Sequence, residues 1–174
     1  MGHVIEPAPT GRAKCRGCNQ GIAAKELRFG EKRPNPFGQG DATQWFHVSC
    51  AAYKRPEPFL EALAERAEPL DDREKLEADA KRGVAHERLP RVDGAERASS
   101  GRAACRECRE NVEKGAWRLK LVFWEEGMFR PAGFLHLPCA GIYFGDTTDL
   151  VARVRRFSPQ LTDEESAEIG AQIR

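Results

Sequence analysis

Cys15-Arg16-Gly17-Cys18 is followed by His47-Val48-Ser49-Cys50, and the same pattern returns as Cys105-Arg106-Glu107-Cys108 and His136-Leu137-Pro138-Cys139. The interval from second cysteine to histidine is 28 residues in the first copy and 27 in the second. The pattern uses all six cysteines and two of the four histidines. Two such pairs brought together close a tetrahedral shell of the kind that structural Zn2+ requires. The sequence therefore predicts two zinc ions, held by Cys15, Cys18, His47 and Cys50 and by Cys105, Cys108, His136 and Cys139.

Disulfide bonds in a secreted chain are the alternative that an even number of cysteines allows. The first residues contain no apolar export segment, and disulfides would leave the repeated histidines unexplained. No run approaches the ~20 apolar residues of a membrane span, so a membrane partner is not expected. We expect a reducing, intracellular location, in the cytoplasm or nucleoid, or in the nucleus if the source is eukaryotic.

The duplication divides the 174 residues into two small units. We predict an α+β fold with a first finger over residues 8–83, a linker over 84–98 and a second finger over 99–174. In each finger a short antiparallel sheet is followed by C-terminal helices. Modules of this size bury too little apolar area to offset their chain entropy, so metal binding is expected to be part of folding.

Local signals place several elements. Alternation from Trp117 to Trp124 predicts a strand, with Leu119, Leu121 and Phe123 on one face. Further along the chain, Thr162 and Glu165 have the spacing of a capping box and predict the start of the last helix.

Positive charge is concentrated on the two metal modules. Residues 10–54 contain eight lysines and arginines against three acidic residues, and residues 100–145 contain seven against five. The intervening and following segments are acidic. This layout is expected if the modules face phosphates, although a mixed-charge surface is also ordinary for a soluble protein.

Four arginines recur in register between the copies. Arg12 and Arg102 each lie three residues before the first cysteine, in a Gly-Arg-Ala-x-Cys context. Arg28 and Arg118 each lie thirteen residues after it, between apolar neighbours. Paired guanidinium groups fit phosphate oxygens well, so these are candidate phosphate contacts. The alternative is that they are surface residues retained by duplication.

Two aromatic residues precede the histidines. Phe37 lies in the run Pro36-Phe37-Gly38, and Phe129 follows Met128. An aromatic side chain at a loop tip can stack on an exposed base without reading sequence. The alternative is that each ring folds back into a small core.

A family resemblance rests on residues 11–18, on Leu27-Arg28-Phe29, on Pro36-Phe37-Gly38, on Trp45-Phe46-His47-Val48-Ser49-Cys50 and on residues 70–75. The chain resembles the zinc finger of poly(ADP-ribose) polymerases, which is also found in a nick-sealing DNA ligase, in two tandem copies. The resemblance implies recognition of DNA breaks. It assigns phosphate contacts to Arg12, Arg28, Arg102 and Arg118, and to Phe37 a place on a hydrophobic loop that rests on the exposed base stack.

The leading functional hypothesis is a non-enzymatic sensor of DNA nicks, gaps, ends or strand junctions in damage sensing or repair. The chain ends 35 residues after its last ligand, so no transferase or ligase activity is expected. An alternative is a zinc-stabilised adaptor that contacts a protein partner through the second finger, where Glu125 and Glu126 oppose DNA binding, or through the acidic helices. A zinc enzyme is disfavoured because four protein ligands fill each predicted shell.

Overall fold

The computed structural model describes residues 2–174 and divides the chain into two compact units. The first unit ends at Ala85, and the second extends from His86 to Arg174. Each unit contains one three-stranded antiparallel sheet and a set of helices. The α+β class and the tandem arrangement are thereby confirmed.

The first unit contains six regular elements. They are strands β1 (Val4–Pro7), β2 (Leu27–Pro34) and β3 (Asp41–His47), followed by helices α1 (Val48–Lys54), α2 (Pro56–Glu65) and α3 (Arg73–Ala85). The sheet order is β1-β2-β3, with Phe29 of β2 opposite Phe46 of β3. Both rings are fully buried, and Phe59 of α2 meets Phe29 edge-on at 5.7 Å. Three phenylalanines thus join the sheet to the helices.

Polar contacts attach α1 of the first unit to its surroundings. Lys54, at the end of α1, is 3% exposed, and its Nζ donates to the Gly17 carbonyl in the metal knuckle at 3.0 Å. Arg55 donates twice to the buried carboxylate of Glu31 on β2, at 2.8 and 2.6 Å. These contacts fix the helix that carries one of the cysteine ligands.

The second unit repeats this order with shorter helices. It contains strands β4 (Val92–Arg97), β5 (Trp117–Glu125) and β6 (Met128–His136), then helices α4 (Ala140–Phe144), α5 (Leu150–Phe157) and α6 (Asp163–Gln172). Short 3-10 turns span Leu89–Arg91 and Leu137–Cys139. Leu119 and Leu135 are cross-strand partners, both fully buried, and occupy the positions of the first unit's phenylalanine pair. The capping box is confirmed at α6, where Thr162 Oγ1 accepts from the Glu165 amide and Glu165 accepts from the Thr162 amide.

The strand predicted from Trp117 is confirmed as β5, but its buried face changes along its length. Leu119 and Leu121 are buried as expected, whereas Phe123 is 39% exposed and Val122 is buried. The change coincides with a bulge after Leu121, where β6 carries the extra residue Ala132. A bulge increases local twist and re-aims the side chains beyond it, so simple alternation fails there.

Residues 84–98 differ from the predicted linker. Val84 and Ala85 end α3, and Val92–Arg97 form β4, which pairs with β5. In the first unit, β1 likewise begins at Val4, ahead of the predicted boundary at residue 8. Both strands are short edge strands, and a bulge at Gly94 (φ +98°) interrupts β4. Edge strands of this kind have too little apolar periodicity to be recognised before their partner strand is known.

Among residues 2–174, no helix combines the length and the apolar character needed to cross a lipid bilayer.

Candidate metal centres and nucleic-acid interface

The first ligand cluster joins three segments of the first unit. Cys15 and Cys18 lie in the knuckle before β2, His47 ends β3, and Cys50 lies in α1. All four ligand atoms lie within 4.8 Å of one another. His47 Nδ1 is 3.3 Å from Cys18 Sγ and 3.8 Å from Cys50 Sγ. Such edges fit a tetrahedron with Zn–S bonds of about 2.3 Å and a Zn–N bond of about 2.0 Å.

The second cluster has the same construction. Cys105, Cys108, His136 and Cys139 place their ligand atoms within 4.8 Å of one another. His136 Nδ1 is 3.2 Å from Cys108 Sγ and 4.0 Å from Cys139 Sγ. This site is the more accessible of the two, because Cys108 is exposed whereas its counterpart Cys18 is partly buried.

A backbone carbonyl orients each histidine ligand. His47 Nε2 lies 3.0 Å from the Gly21 oxygen, and His136 Nε2 lies 3.2 Å from the Asn111 oxygen. An Nε2–H that donates to a carbonyl leaves Nδ1 with its lone pair directed at the sulfur cluster, which is the tautomer that a metal requires. Backbone N–H groups also donate to sulfur: the His47 amide to Cys15 Sγ and the His136 amide to Cys105 Sγ, each at 3.3 Å.

The first cluster favours ionised sulfur even before a metal is considered. Hydrogen bonds with Cys15 and Cys50 hold the pKa of the Cys18 thiol well below its usual range. Hydrogen bonds with the Cys15 and Cys18 sulfurs raise the pKa of His47 to about 10. A protonated imidazole has no free lone pair, so the zinc-binding tautomer described above forms only when the metal displaces a proton from His47, and zinc affinity falls as the pH falls.

Each unit therefore carries a Cys3His zinc site, and the chain carries two. Three thiolates and one imidazole in a tetrahedral cluster are a donor set that suits Zn2+. With four protein ligands the shell is closed, which is typical of a structural rather than a catalytic site.

A carboxylate, an arginine and a histidine ligand lie side by side across each sheet. In the first unit Arg28 on β2 faces Glu6 on β1 and His47 on β3. Its Nη2 donates to Glu6 Oε1 at 2.9 Å, and its guanidinium carbon lies 3.4 Å from the centroid of Trp45. Only 7% of Arg28 is exposed. Arg28 is therefore a cation held in one orientation.

The second unit has the same row. Arg118 lies between Glu96 and His136, donates twice to Glu96 Oε1 at 3.2 and 2.7 Å, and stacks on Phe134 at 3.5 Å. It is 5% exposed. Sequence reasoning missed both glutamates because they lie on the two strands that it did not predict. Glu6 lies six residues before Arg12, and Glu96 lies six residues before Arg102. This repeated spacing is the sequence signal that could have identified the two glutamates.

Arg12 and Arg102 differ from the strand arginines in being exposed. Their amides contact the Thr10 and Ser100 hydroxyls at 3.4 Å. Within residues 2–174 neither guanidinium has a hydrogen bond or an ion pair. These two side chains are open to an external anion.

Phe37 lies at the tip of the connection between β2 and β3 and is 95% exposed. Its amide donates to Asn35 Oδ1 at 3.0 Å, and the Asn35 amide donates to the Gly40 oxygen at 3.0 Å. These bonds close the turn at the loop tip, where the ring lies in solvent. A phenylalanine ring in solvent gives up the favourable free energy of burial, which makes Phe37 a candidate contact for an external ligand.

Phe129 does not occupy the corresponding place, and its predicted position at a loop tip is wrong. Strands β5 and β6 are joined by Glu126 and Gly127 alone, both with positive φ (51° and 81°), which makes a tight hairpin turn. Phe129 lies within β6 opposite Trp124, and the two rings meet edge-on at 4.6 Å.

Residues 6–87 match the family described as the poly(ADP-ribose) polymerase and DNA-ligase zinc-finger region. The first unit belongs to this zinc-finger family. The second unit lies outside the matched range but repeats the ligand order, the strand order and the Glu–Arg–His row. It is a second finger of the same kind.

Several curated proteins are similar over most of the chain. A poly(ADP-ribose) polymerase of Sarcophaga peregrina is 28% identical over 68% of this chain, and poly(ADP-ribose) polymerase 1 of Oryza sativa is 28% identical over 76%. The polynucleotide 3'-phosphatase ZDP of Arabidopsis thaliana is 26% identical over 81%. The chain spans 14% of the length of each polymerase and 24% of the phosphatase. The family match places the similarity in the zinc-finger region of such enzymes.

Proposed function

We propose that the chain is a non-enzymatic DNA-binding protein that recognises nicks, gaps, ends or strand junctions in DNA damage sensing or repair. The observation that carries the proposal is the fully solvated ring of Phe37, held by a shaped loop on the same zinc finger as the unpaired cation of Arg12. The similarity to poly(ADP-ribose) polymerases and to a polynucleotide phosphatase supports it.

The ring of Phe37 supplies selectivity for a discontinuity. In an intact duplex each base pair is covered on both faces by its neighbours. At a nick, gap or end one face is uncovered or easily opened, and an aromatic side chain can stack there. Base–aromatic stacking contributes about 1–3 kcal/mol and is tolerant of sequence. The expected recognition therefore depends on structure and not on base sequence.

The arginines supply phosphate contacts. Arg12 and Arg102 are free to bind phosphate directly, and guanidinium groups do so through paired hydrogen bonds. Arg28 and Arg118 already share one edge with a glutamate, so a phosphate can approach only the remaining N–H groups. Along β2, Arg28 and Pro34 are separated by about 20 Å, at ~3.3 Å per residue. Arginine contacts with DNA phosphates at one end of the sheet, and stacking of Phe37 at the other, are thus compatible with binding to one strand break.

A competition among nicked, gapped, blunt-ended, overhanging and intact duplexes of one sequence tests the proposal, with salt fixed and zinc quantified in the same sample. We expect broken forms to displace intact DNA and the affinity to fall steeply with salt. Tight binding to one duplex sequence, without preference among the five forms, would contradict the proposal.

A second candidate function, contact with a protein partner, is favoured by the hairpin of the second unit. Phe123 and Met128 are 39% and 54% exposed there, and Glu126 would repel a phosphate backbone, whereas Glu125 is paired with Arg130 at 2.7 Å. Failure of the purified chain to bind broken or single-stranded DNA at low salt would favour this adaptor function.

A further inference from the structure

A cationic cleft lies beside the zinc knuckle of the second unit. Its volume is about 330 Å3, and it is lined by Arg88, Arg91, Arg106, Glu107, Arg109 and Tyr143. The lining thus brings four guanidinium groups together with one carboxylate. None of the four arginines belongs to the set that the DNA-break proposal uses.

Two of these arginines are held in place by Tyr143, which is 8% exposed. Arg88 lies 4.7 Å from the centroid of the tyrosine ring and donates to its backbone oxygen at 3.3 Å. Arg91 donates to the tyrosine hydroxyl at 3.0 Å. Arg88 also lies 3.9 Å from a carboxylate oxygen of Glu107, the only acidic group of the lining. This side of the cleft is preorganised.

The other two arginines are exposed, and within residues 2–174 their side chains make no hydrogen bond or ion pair. Gly133 makes room for the stem of Arg106, because a Cβ at that glycine would lie 2.9 Å from Arg106 Cδ. Arg109 has a left-handed backbone (φ 69°), a conformation that favours asparagine or glycine. Arginine at this position adds a fourth guanidinium group to the cleft.

The cleft is not part of the repeat. The first unit has Arg16, Gly17, Asn19 and Lys54 at the positions of Arg106, Glu107, Arg109 and Tyr143. Its asparagine has the same left-handed backbone (φ 62°) without a charge, and the ammonium of its lysine is buried on the Gly17 carbonyl. The concentration of arginine is therefore specific to the second finger.

We propose that this cleft binds phosphate. Arginine side chains bind phosphate oxygens through paired, charge-assisted hydrogen bonds. Four guanidinium groups and one carboxylate give the cleft a net excess of three positive charges. The volume is at the small end of ligand pockets, which suits one or two phosphate groups. The phosphate can belong to a small phosphorylated molecule or to the backbone of a nucleic acid strand.

Pyrophosphate titration of the 15N-labelled full chain tests the site, with arginine Nε–H signals as the readout and zinc content checked throughout. The test variant is Arg106→Gln with Arg109→Gln, since both side chains are exposed and unpaired and their loss should not disturb folding. Loss of two charge-assisted contacts should weaken binding at least about tenfold. The matched control is Arg16→Gln in the first finger, which should bind as the native chain does.

The same three proteins, titrated with nicked and intact duplexes, distinguish the two sources of phosphate. A loss of DNA affinity in the double variant alone assigns the cleft to a strand, whereas unchanged DNA affinity with lost pyrophosphate binding assigns it to a small molecule. The proposal would be overturned if the three proteins did not differ in pyrophosphate affinity and did not differ in DNA affinity. It would also be overturned if Arg16→Gln weakened binding as much as the double variant does. The pyrophosphate result does not depend on DNA binding, so the two proposals can fail separately.

Discussion

The strand arginine of each finger, Arg28 or Arg118, makes two structural contacts. The side chain of the exposed arginine before the knuckle, Arg12 or Arg102, makes none among residues 2–174. Arg28 is fixed by Glu6 and by the face of Trp45, whereas Arg12 has no side-chain partner among the described residues 2–174. The two residues should therefore respond differently to the same substitution. The sequence predicted both as outward-facing phosphate contacts, because the glutamate that pairs with Arg28 lies on an unpredicted strand.

Arg12→Ala and Arg28→Ala are expected to have different effects on stability. Both should weaken binding to nicked DNA and reduce the slope of log affinity against log salt by about one unit. Only Arg28→Ala should also lower the free energy of unfolding, by about 1–3 kcal/mol, because it leaves Glu6 without its partner and removes the stacked guanidinium. DNA titrations at several salt concentrations and thermal unfolding at constant zinc content measure both effects. An unchanged salt slope in Arg12→Ala would argue against a phosphate contact there.

Phe37→Ala should remove selectivity without a structural cost. The ring is 95% exposed, so stability should change by less than about 0.5 kcal/mol. The preference for nicked over intact duplex should fall by about 1–3 kcal/mol, while binding to intact DNA stays the same. Phe37→Trp serves as the control and should retain the preference. Equal selectivity in the alanine variant and the native chain would exclude stacking by this ring.

At the scale of the element, local patterns were sufficient for some features and not for others. The ligand spacing, the strand from Trp117 and the capping box at Thr162 depend on residues close in sequence, and each was predicted. Strands β1 and β4 are short edge strands that depend on pairing with β2 and β5, and a bulge hides the periodicity of β4. Glu126 and Gly127 form a tight turn, so the loop predicted to carry Phe129 is replaced by a hairpin. The position of that turn depends on the register of the whole hairpin, which local patterns do not give.

The bulge in β4 supplies a test of element-level packing. Gly94 has φ +98°, and a side chain there would collide with Ser158 Oγ, which exchanges hydrogen bonds with the backbone of Ala95. Gly94→Ala should destabilise the second unit by about 2–4 kcal/mol, through backbone strain plus displacement of this serine. Gly115→Ala is the matched control, because its φ is also positive (+84°) but open space surrounds it. Chemical denaturation should show a cost of only about 1 kcal/mol for the control. Equal costs would mean that the serine contact contributes nothing.

At the scale of the whole molecule, two zinc sites of the same composition differ in exposure. The ligands of the first site are buried or partly buried, whereas the second site includes the exposed Cys108. Structural zinc contributes on the order of 10–16 kcal/mol to the folding of small modules, so loss of the metal should unfold the unit that loses it. The duplicated fingers are thus expected to differ in kinetic stability.

Removal of zinc by a chelator should therefore occur in two phases. The second site should lose its metal first, because its sulfur is the more accessible. Alkylation during chelation, followed by mass spectrometry, should label Cys108 and Cys139 before Cys15 and Cys50. A denatured sample, in which all six cysteines label together, is the control. Simultaneous labelling of both sets in the folded chain would contradict the difference.

In the proposed function, zinc-held fingers recognise a discontinuity in DNA. The most direct measurement is the ratio of Kd values for intact and nicked duplexes of one sequence, taken for the chain with two zinc equivalents and again after chelation. With zinc we expect a ratio of at least about fivefold, since stacking contributes about 1–3 kcal/mol, and without zinc a ratio near one. Equal affinity for both duplexes in the zinc-loaded chain would show that the fingers do not recognise a discontinuity.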